Sequence, residues 1–270
     1  MFYRQIDPAT AGRCTTRKNK GGNTMTTTTR AQYKTWTTPA GYYWQDCDKL
    51  LEAPHLLIAG ATGSGKSVLI NSILFTALRK SPAENRFIFI DLKRVELSDY
   101  RYLPHTLFYA DTVDRARYAL DYACNIIEYR YAEMQRRRVK KYSSDGRGHI
   151  YIVIDEYAEL VTLAARDITR QLCRIAQIGR AANVHLIIAT QRPTKDIING
   201  QVKVNIDTRI ALRTATAQDS RNIIDISGAE LLPRYGQALL SQYGYVNRIA
   251  VPLTPESDIA SRIAWWTAQR

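Results

Sequence analysis

Apolar residues follow two alternating patterns along this chain. Apolar-rich runs of strand length occur at 56–59, 86–91 (RFIFID), 107–110, 150–156 (IYIVIDE), 184–190 (VHLIIAT) and 206–212. Such runs, rich in β-branched residues, suit strands buried on both faces. Between them the spacing becomes helical: Val68, Leu69, Ile73, Leu74 and Leu78 after the first run, a long helix over about 113–139, and another ending near 182. Strands alternating with helices predict an α/β fold, with a mainly parallel β-sheet covered by helices on both faces. Near the end, 237–240 and 246–251 flank Tyr243-Gly244 as a C-terminal β-hairpin, and a short helix over 256–269 follows. Residues 1–40, rich in Thr, Lys and Gly, show no periodicity before Tyr42 and read as a disordered basic tail. The expected organisation is therefore a tail over 1–40, a domain over 41–255 and a helix over 256–270.

Composition refines this picture in three ways. A length of 270 residues, 45% hydrophobic, suits one α/β domain with appendages. No apolar run is long enough to span a membrane, and the basic N-terminus lacks the apolar core of a signal peptide. Cys14, Cys47, Cys124 and Cys173 are scattered without a C-x-x-C pair, which points to reduced thiols in a cytosol. The net charge of +13 favours a polyanionic partner only modestly, because residues 1–40 set seven Lys/Arg against Asp7 and carry +6 of it. Within that tail, KGGNT at 20–24 ahead of Met25 can be encoded by a ribosome-binding sequence. Two readings stand: residues 1–24 are upstream DNA and translation starts at Met25, or the segment is a flexible basic tail.

Chemistry concentrates where the first run ends. Gly60, Ala61, Thr62, Gly63, Ser64, Gly65, Lys66, Ser67 and Val68 spell G-x-x-x-x-G-K-S between a strand and a helix, the context of a phosphate loop. Glycines let backbone N–H groups turn onto phosphate oxygens, and the helix N-terminus adds its positive dipole. Lys66 is expected on the β- and γ-phosphates of ATP, and Ser67 on Mg²⁺. The 150–156 run delivers Asp155 and Glu156, 89 positions beyond Lys66. Asp155 is expected in the Mg²⁺ shell, and Glu156 as the general base that polarises the attacking water. Gln191, at the tip of the next run, is placed to sense the γ-phosphate. The charged segment at 91–97 is either a ligand-facing loop or a solvated one. The basic run Arg136, Arg137, Arg138, Lys140 and Lys141 reads first as a solvated helix end, with DNA contact as the alternative.

Taken together, GATGSGKS at 60–67, DLKRVEL at 91–97, IVIDEYAEL at 152–160, GRAANVHLIIATQRP at 179–193, DTRIALR at 207–213, DSRNIID at 219–225 and GAELL at 228–232 resemble the motor domain of the FtsK/SpoIIIE DNA translocases, in the HerA–FtsK branch of RecA-like P-loop NTPases. The resemblance covers roughly residues 52–250. It implies a RecA-type ATPase that forms a hexameric ring with double-stranded DNA in the pore and ATP between subunits. Arg180 matches the arginine finger offered to a neighbour's ATP, with Arg209 as a second candidate. Pore loops at about 190–203 and 216–221 bring Arg192, Lys203 and Arg221 toward DNA phosphates, contacts that do not read sequence. The chain departs from the pattern at Leu92, Ala217 and Gln237, where Pro, Lys and Asp are usual.

The expected activity is ATP-driven translocation of double-stranded DNA, in DNA transfer or replication of a bacterial mobile element or phage. The alternatives are a conjugative coupling or secretion-type ATPase moving protein or a protein–DNA complex, or an ATP-dependent DNA-binding adaptor. The expected partners are double-stranded DNA, further copies of the chain and, in these alternatives, a relaxase, a replication initiator or a membrane anchor protein.

Overall fold

The structure, a computed structural model, describes residues 33–35, 47–142, 148–198 and 200–269. The expectations for residues 1–24 and for 143–147 lie outside the described residues. Nine strands form one sheet: β1 (Tyr33–Thr35), β2 (His55–Ala59), β3 (Asn85–Ile90), β4 (Thr106–Ala110), β5 (His149–Ile154), β6 (Val184–Thr190), β7 (Thr208–Ala211), β8 (Gln237–Gln242) and β9 (Tyr245–Ala250). Their order across the sheet is β1-β9-β8-β7-β2-β6-β5-β3-β4. Neighbours from β7 to β4 run parallel, as do β1 and β9, whereas β7–β8 and β8–β9 are antiparallel.

Side chains alternate between two cores. Leu57, Ala59, Ile152, Ile154, Leu186 and Ile188 face α3 (Val113–Arg137), α4 (Tyr157–Ile178) and α6 (Ala217–Ile224). Leu56, Ile58, Tyr151, Val153, Ile187 and Ala189 face α1 (Asp48–Leu51), α2 (Lys66–Ala77) and α7 (Glu256–Thr267). Every residue of β2 and of β6 is buried, which explains the absence of polar alternation in those runs.

Several boundaries differ from the expected ones for local reasons. The long helix stops at Arg137 because Arg138 turns left-handed (φ 55°) as its C-cap. The expected 206–212 strand begins only at Thr208, because Ile206 N–H bonds Val202 O and closes α5 (Gly200–Asn205). The segment 216–221, expected as a loop, is the first half of α6. Thr216 and Asp219 close it with a capping box, each side chain accepting the other's backbone N–H. Tyr33–Thr35, within the segment expected to be disordered, forms β1 against β9. The hairpin is as expected, with Tyr243 (φ 52°) and Gly244 (φ 78°) both left-handed as a two-residue turn requires.

Candidate nucleotide site

Strand order assembles the site. Because β6 lies between β2 and β5, the carboxyl ends of three adjacent parallel strands bring together Gly60, Gln191 and the Asp155–Glu156 pair. That is where ligands bind in open parallel sheets. The loop from Gly60 to Gly65 is anchored on both sides: Gly60 N–H donates to Thr190 O (3.3 Å) and Ala61 N–H to Arg213 O (2.8 Å). A Cβ on Gly60 would meet Leu212 Cβ and Ser64 Oγ at 2.7 Å, so only glycine fits. Gly63 (φ 73°) and Gly65 (φ 94°) adopt backbone conformations that L side chains rarely take. Leu69 N–H reaches back to Gly65 O, leaving the N–H groups of the preceding turn of α2 without intrahelical partners and available to an anion.

Within this cradle the charged groups satisfy one another. The Lys66 ammonium donates to Asp155 Oδ1 at 2.6 Å and to Asp155 O at 2.8 Å, and both side chains are almost fully buried. Glu156 is the N-cap of α4. Its Oε1 accepts the Thr190 hydroxyl at 2.6 Å, and its two oxygens accept Gln191 N–H at 3.2 and 3.1 Å. The Gln191 side-chain oxygen in turn accepts the Thr62 hydroxyl at 2.8 Å, tying the tip of β6 to the phosphate loop. Ser64 Oγ is buried and has no hydrogen-bond partner among the described residues, a donor in the cradle that an oxygen ligand would satisfy.

The donor set fits a nucleotide carrying a divalent cation. A left-handed glycine loop, a helix N-terminus and a lysine suit phosphates, and half-buried Ser67 with Asp155 suits a hard cation whose remaining ligands are phosphate and water. Among the described residues there is no cluster of three or more metal-binding side chains, so a cation held by protein alone is not built here.

Arg180 lies at the other end. It sits in a 3₁₀ turn (Gly179–Ala182) between α4 and the start of β6. Seven residues of β6 separate that turn from Gln191, roughly 20 Å at about 3.3 Å per residue. Arg180 is exposed and lines a groove with His55, Gln177, Asn205, Asp207 and Tyr243, with no carboxylate or hydrogen-bond partner among the described residues. The turn itself is braced. Buried Arg130 donates to Ala182 O (2.6 Å) and Asn183 O (3.3 Å), Tyr131 OH donates to Ile178 O (3.0 Å), and Gly179 packs against His55 and Val184 O too closely for a larger residue. His55 is held neutral beside Arg180. Burial lowers its pKa to about 4, and the Arg180 charge adds to that effect.

The remaining cations divide. Arg209 is largely buried and bonds Asp225 Oδ2 (2.7 Å) and Ile223 O (3.1 Å), which engages its guanidinium inside the chain. Lys203 bonds the other oxygen of Asp225 at 2.6 Å. Burial alone would raise the Asp225 pKa, but Lys203 and Arg209 hold it below the usual carboxylate range. Arg192 and Arg221 project outward from neighbouring segments, linked by Asn222 Nδ2 donating to Pro193 O (2.9 Å). On α3, Arg137 pairs with Glu133 at 2.7 Å, as a solvated helix end does. Buried Asp91 accepts Arg94 N–H, Leu97 N–H and the Tyr109 hydroxyl, so the 91–97 carboxylate organises its own loop.

Sequence reasoning did not single out Thr190 or Arg130. Thr190 was visible only as the residue before Gln191, and Arg130 as one of many cations in a helix.

Comparisons with known proteins agree with this geometry. The DNA translocase FtsK of Oceanobacillus iheyensis is 42% identical over 214 residues, which cover 73% of this chain and 27% of that protein. The chain thus spans about a quarter of the length of the curated relatives it matches. Among solved structures, the pCW3 conjugation coupling protein TcpA in its monomer form with ATPγS superposes with a TM-score of 0.71 at 25% identity, over 80% of this chain and 66% of that one. The cytoplasmic domain of the type VII secretion ATPase EccC of Thermomonospora curvata shares the fold, with a TM-score of 0.67 at 23% identity over 79% of this chain and 28% of that one. The fold is thus the RecA-like P-loop α/β fold. The FtsK/SpoIIIE family model matches residues 43–151 and 144–195. That match runs through the phosphate loop, the paired acids and Gln191 and takes in more than half of the residues, so the chain belongs to the FtsK/SpoIIIE family.

Proposed function

We propose that this chain is an ATP-dependent translocase of double-stranded DNA, acting as an oligomeric ring, a hexamer, that hydrolyses ATP between subunits. The observation that carries the reading is the division of the catalytic set. Lys66, Asp155, Glu156 and Gln191 meet at one edge of the sheet, while unpartnered Arg180 stands at the opposite edge, about 20 Å away. An arginine at that distance serves a neighbour's nucleotide and not its own, and a guanidinium entering in trans stabilises charge as the phosphoryl group transfers.

In this mechanism the Lys66–Asp155 pair opens as nucleotide enters. Lys66 turns to the phosphates, and Asp155 with Ser67 would hold Mg²⁺. The cation, when bound, neutralises phosphate charge and orients the triphosphate. Glu156, fixed by Thr190 and the Gln191 amide, polarises the attacking water. Gln191, already bonded to Thr62, reports the state of the loop to the segment that carries Arg192. Arg192 and Arg221 contact DNA phosphates. Lys203 contributes by fixing α5 to α6 through Asp225. The process served is DNA transfer or replication of a mobile element or phage.

A second reading, a conjugative coupling ATPase, is favoured by one observation: the coupling protein TcpA superposes on this chain with a TM-score of 0.71 at 25% identity. ATP hydrolysis measured with and without linear double-stranded DNA, at several protein concentrations, separates the two. Strong stimulation that rises cooperatively with protein concentration is the expected result. Hydrolysis indifferent to DNA favours the coupling reading.

A further inference from the structure

We propose that Arg234 is a phosphate ligand supplied by the same chain, lying against Gly63 of the phosphate loop; the inference rests on the nucleotide-binding reading above. Arg234 belongs to the segment that crosses from α6 to β8, far in sequence from either nucleotide motif. Its guanidinium lies against Gly63: a Cβ built there would stand 3.3 Å from Arg234 Nη2 and 3.9 Å from Nε. Apart from the neighbours Thr62 and Ser64, no other side chain among the described residues comes within 4 Å of that point.

The segment holds Arg234 firmly on both sides. Leu232 is buried in the core, and Leu232 N–H bonds Ala229 O. Two residues after Arg234, Gly236 (φ 80°) accepts Val251 N–H at 3.0 Å and leads into β8. The guanidinium stacks over the Tyr235 ring at 5.2 Å, which orients its plane without neutralising it. Among the described residues it has no carboxylate and no hydrogen-bond partner. Gln237, the nearest polar side chain along the strand, is bonded to Arg248 at 2.6 Å.

Charge gives this arrangement its sense. Lys66, the cation inside the cradle, is matched by Asp155, so the nucleotide-free site offers little net positive charge of its own. A polyphosphate entering the loop brings several negative charges. Arg234 stands on the open side of the loop, where a planar fork can bond phosphate oxygens in two places. The loop thus carries a neutral contact, the Thr62 hydroxyl bonded to Gln191, beside a cation at Gly63.

The test is ATPγS binding by the full chain, measured by calorimetry at a concentration and temperature where each variant is folded. Arg234→Ala and Arg234→Gln are expected to weaken binding by about tenfold or more, the loss for a charge-assisted hydrogen bond. Arg234→Lys is expected to recover part of it, because it restores the charge without the fork. The salt dependence of binding should shrink in the Ala and Gln variants, which a purely structural role would not cause. Wild-type affinity and salt dependence in Arg234→Gln overturn the inference. A wild-type chain that does not bind ATPγS overturns the nucleotide-binding reading itself, and this inference with it.

Discussion

At the carboxyl edge of the sheet Lys66, Asp155, Glu156, Thr190 and Gln191 satisfy one another, whereas at the amino edge Arg180 has neither a carboxylate nor a hydrogen-bond partner among the described residues. The backbone beneath Arg180 is nevertheless braced by Arg130, Tyr131 and His55, so the free cation is held in a defined place. A polar network that closes on itself stabilises its own subunit. A braced but unpartnered cation adds little to its own subunit and is suited to a partner outside it. The same contrast separates Arg180 from Arg209, whose guanidinium is paired with Asp225.

The sharpest way to break this comparison is to remove each arginine in turn. Arg180→Ala should lower the DNA-stimulated turnover by about 10³-fold or more, with the subunit's melting temperature little changed. Arg209→Ala should do the reverse, lowering the melting temperature because it leaves Asp225 with Lys203 alone and removes the guanidinium that donates to Ile223 O, with a far smaller effect on turnover. Turnover and thermal melts of both variants decide between them.

The carboxyl edge is tested next through its buried ion pair. Lys66→Ala leaves Asp155 buried without its cation and should destabilise the nucleotide-free protein by about 3–5 kcal/mol. The double variant Lys66→Ala/Asp155→Ala should lose less than Lys66→Ala alone, because no uncompensated charge remains. Denaturant unfolding of the two variants checks the order.

A smaller effect is expected at Thr190. Thr190→Val keeps the shape of the strand and removes the hydroxyl that holds Glu156. The turnover number should fall about tenfold with the ATP KM unchanged, the cost of one hydrogen bond to a charged group that positions the base.

The last test is pH at the amino edge. Burial lowers His55 to about 4 and His185 to about 3, and His149 also titrates below its ordinary range because of burial. A depressed histidine contributes stability that is present above its unfolded pKa of about 6.5 and is lost as pH falls toward the folded value. Melting temperature should therefore decline from about pH 6.5 toward pH 4. His185→Gln, which removes one of the depressed histidines, should flatten that decline.

These residues also show what was legible before the fold was known. Lys66, Ser67, Asp155, Glu156 and Gln191 could be read because each lies where an apolar run ends, and the order of runs places such ends at one edge of a parallel sheet. The helices α2, α3, α4 and α7 and six of the strands were legible for the same reason: buried runs and helical spacing are local signals, whereas the short α1, α5 and α6 were not expected. Thr190 was not legible as a partner of Glu156, because that contact depends on β6 lying beside β5. Arg234 was invisible for a similar reason, since no spacing announces that residue 234 crosses the loop at residue 63. Tyr33–Thr35 is too short to show alternation and becomes a strand only by pairing with β9. The start of α6 is a different case. Thr216 and Asp219 have capping-box spacing, a local signal that outweighed the expectation of a loop.

The most direct test of a catalytic set divided between subunits is complementation. Arg180→Ala and Glu156→Gln are each expected to be inactive alone. Mixed in equal amounts with linear double-stranded DNA, they allow interfaces in which a subunit with intact Glu156 meets a neighbour with intact Arg180. Random assembly makes about a quarter of the interfaces competent, so the mixture should recover up to about a quarter of wild-type hydrolysis. A mixture no more active than its two inactive components would contradict the division of the site between subunits.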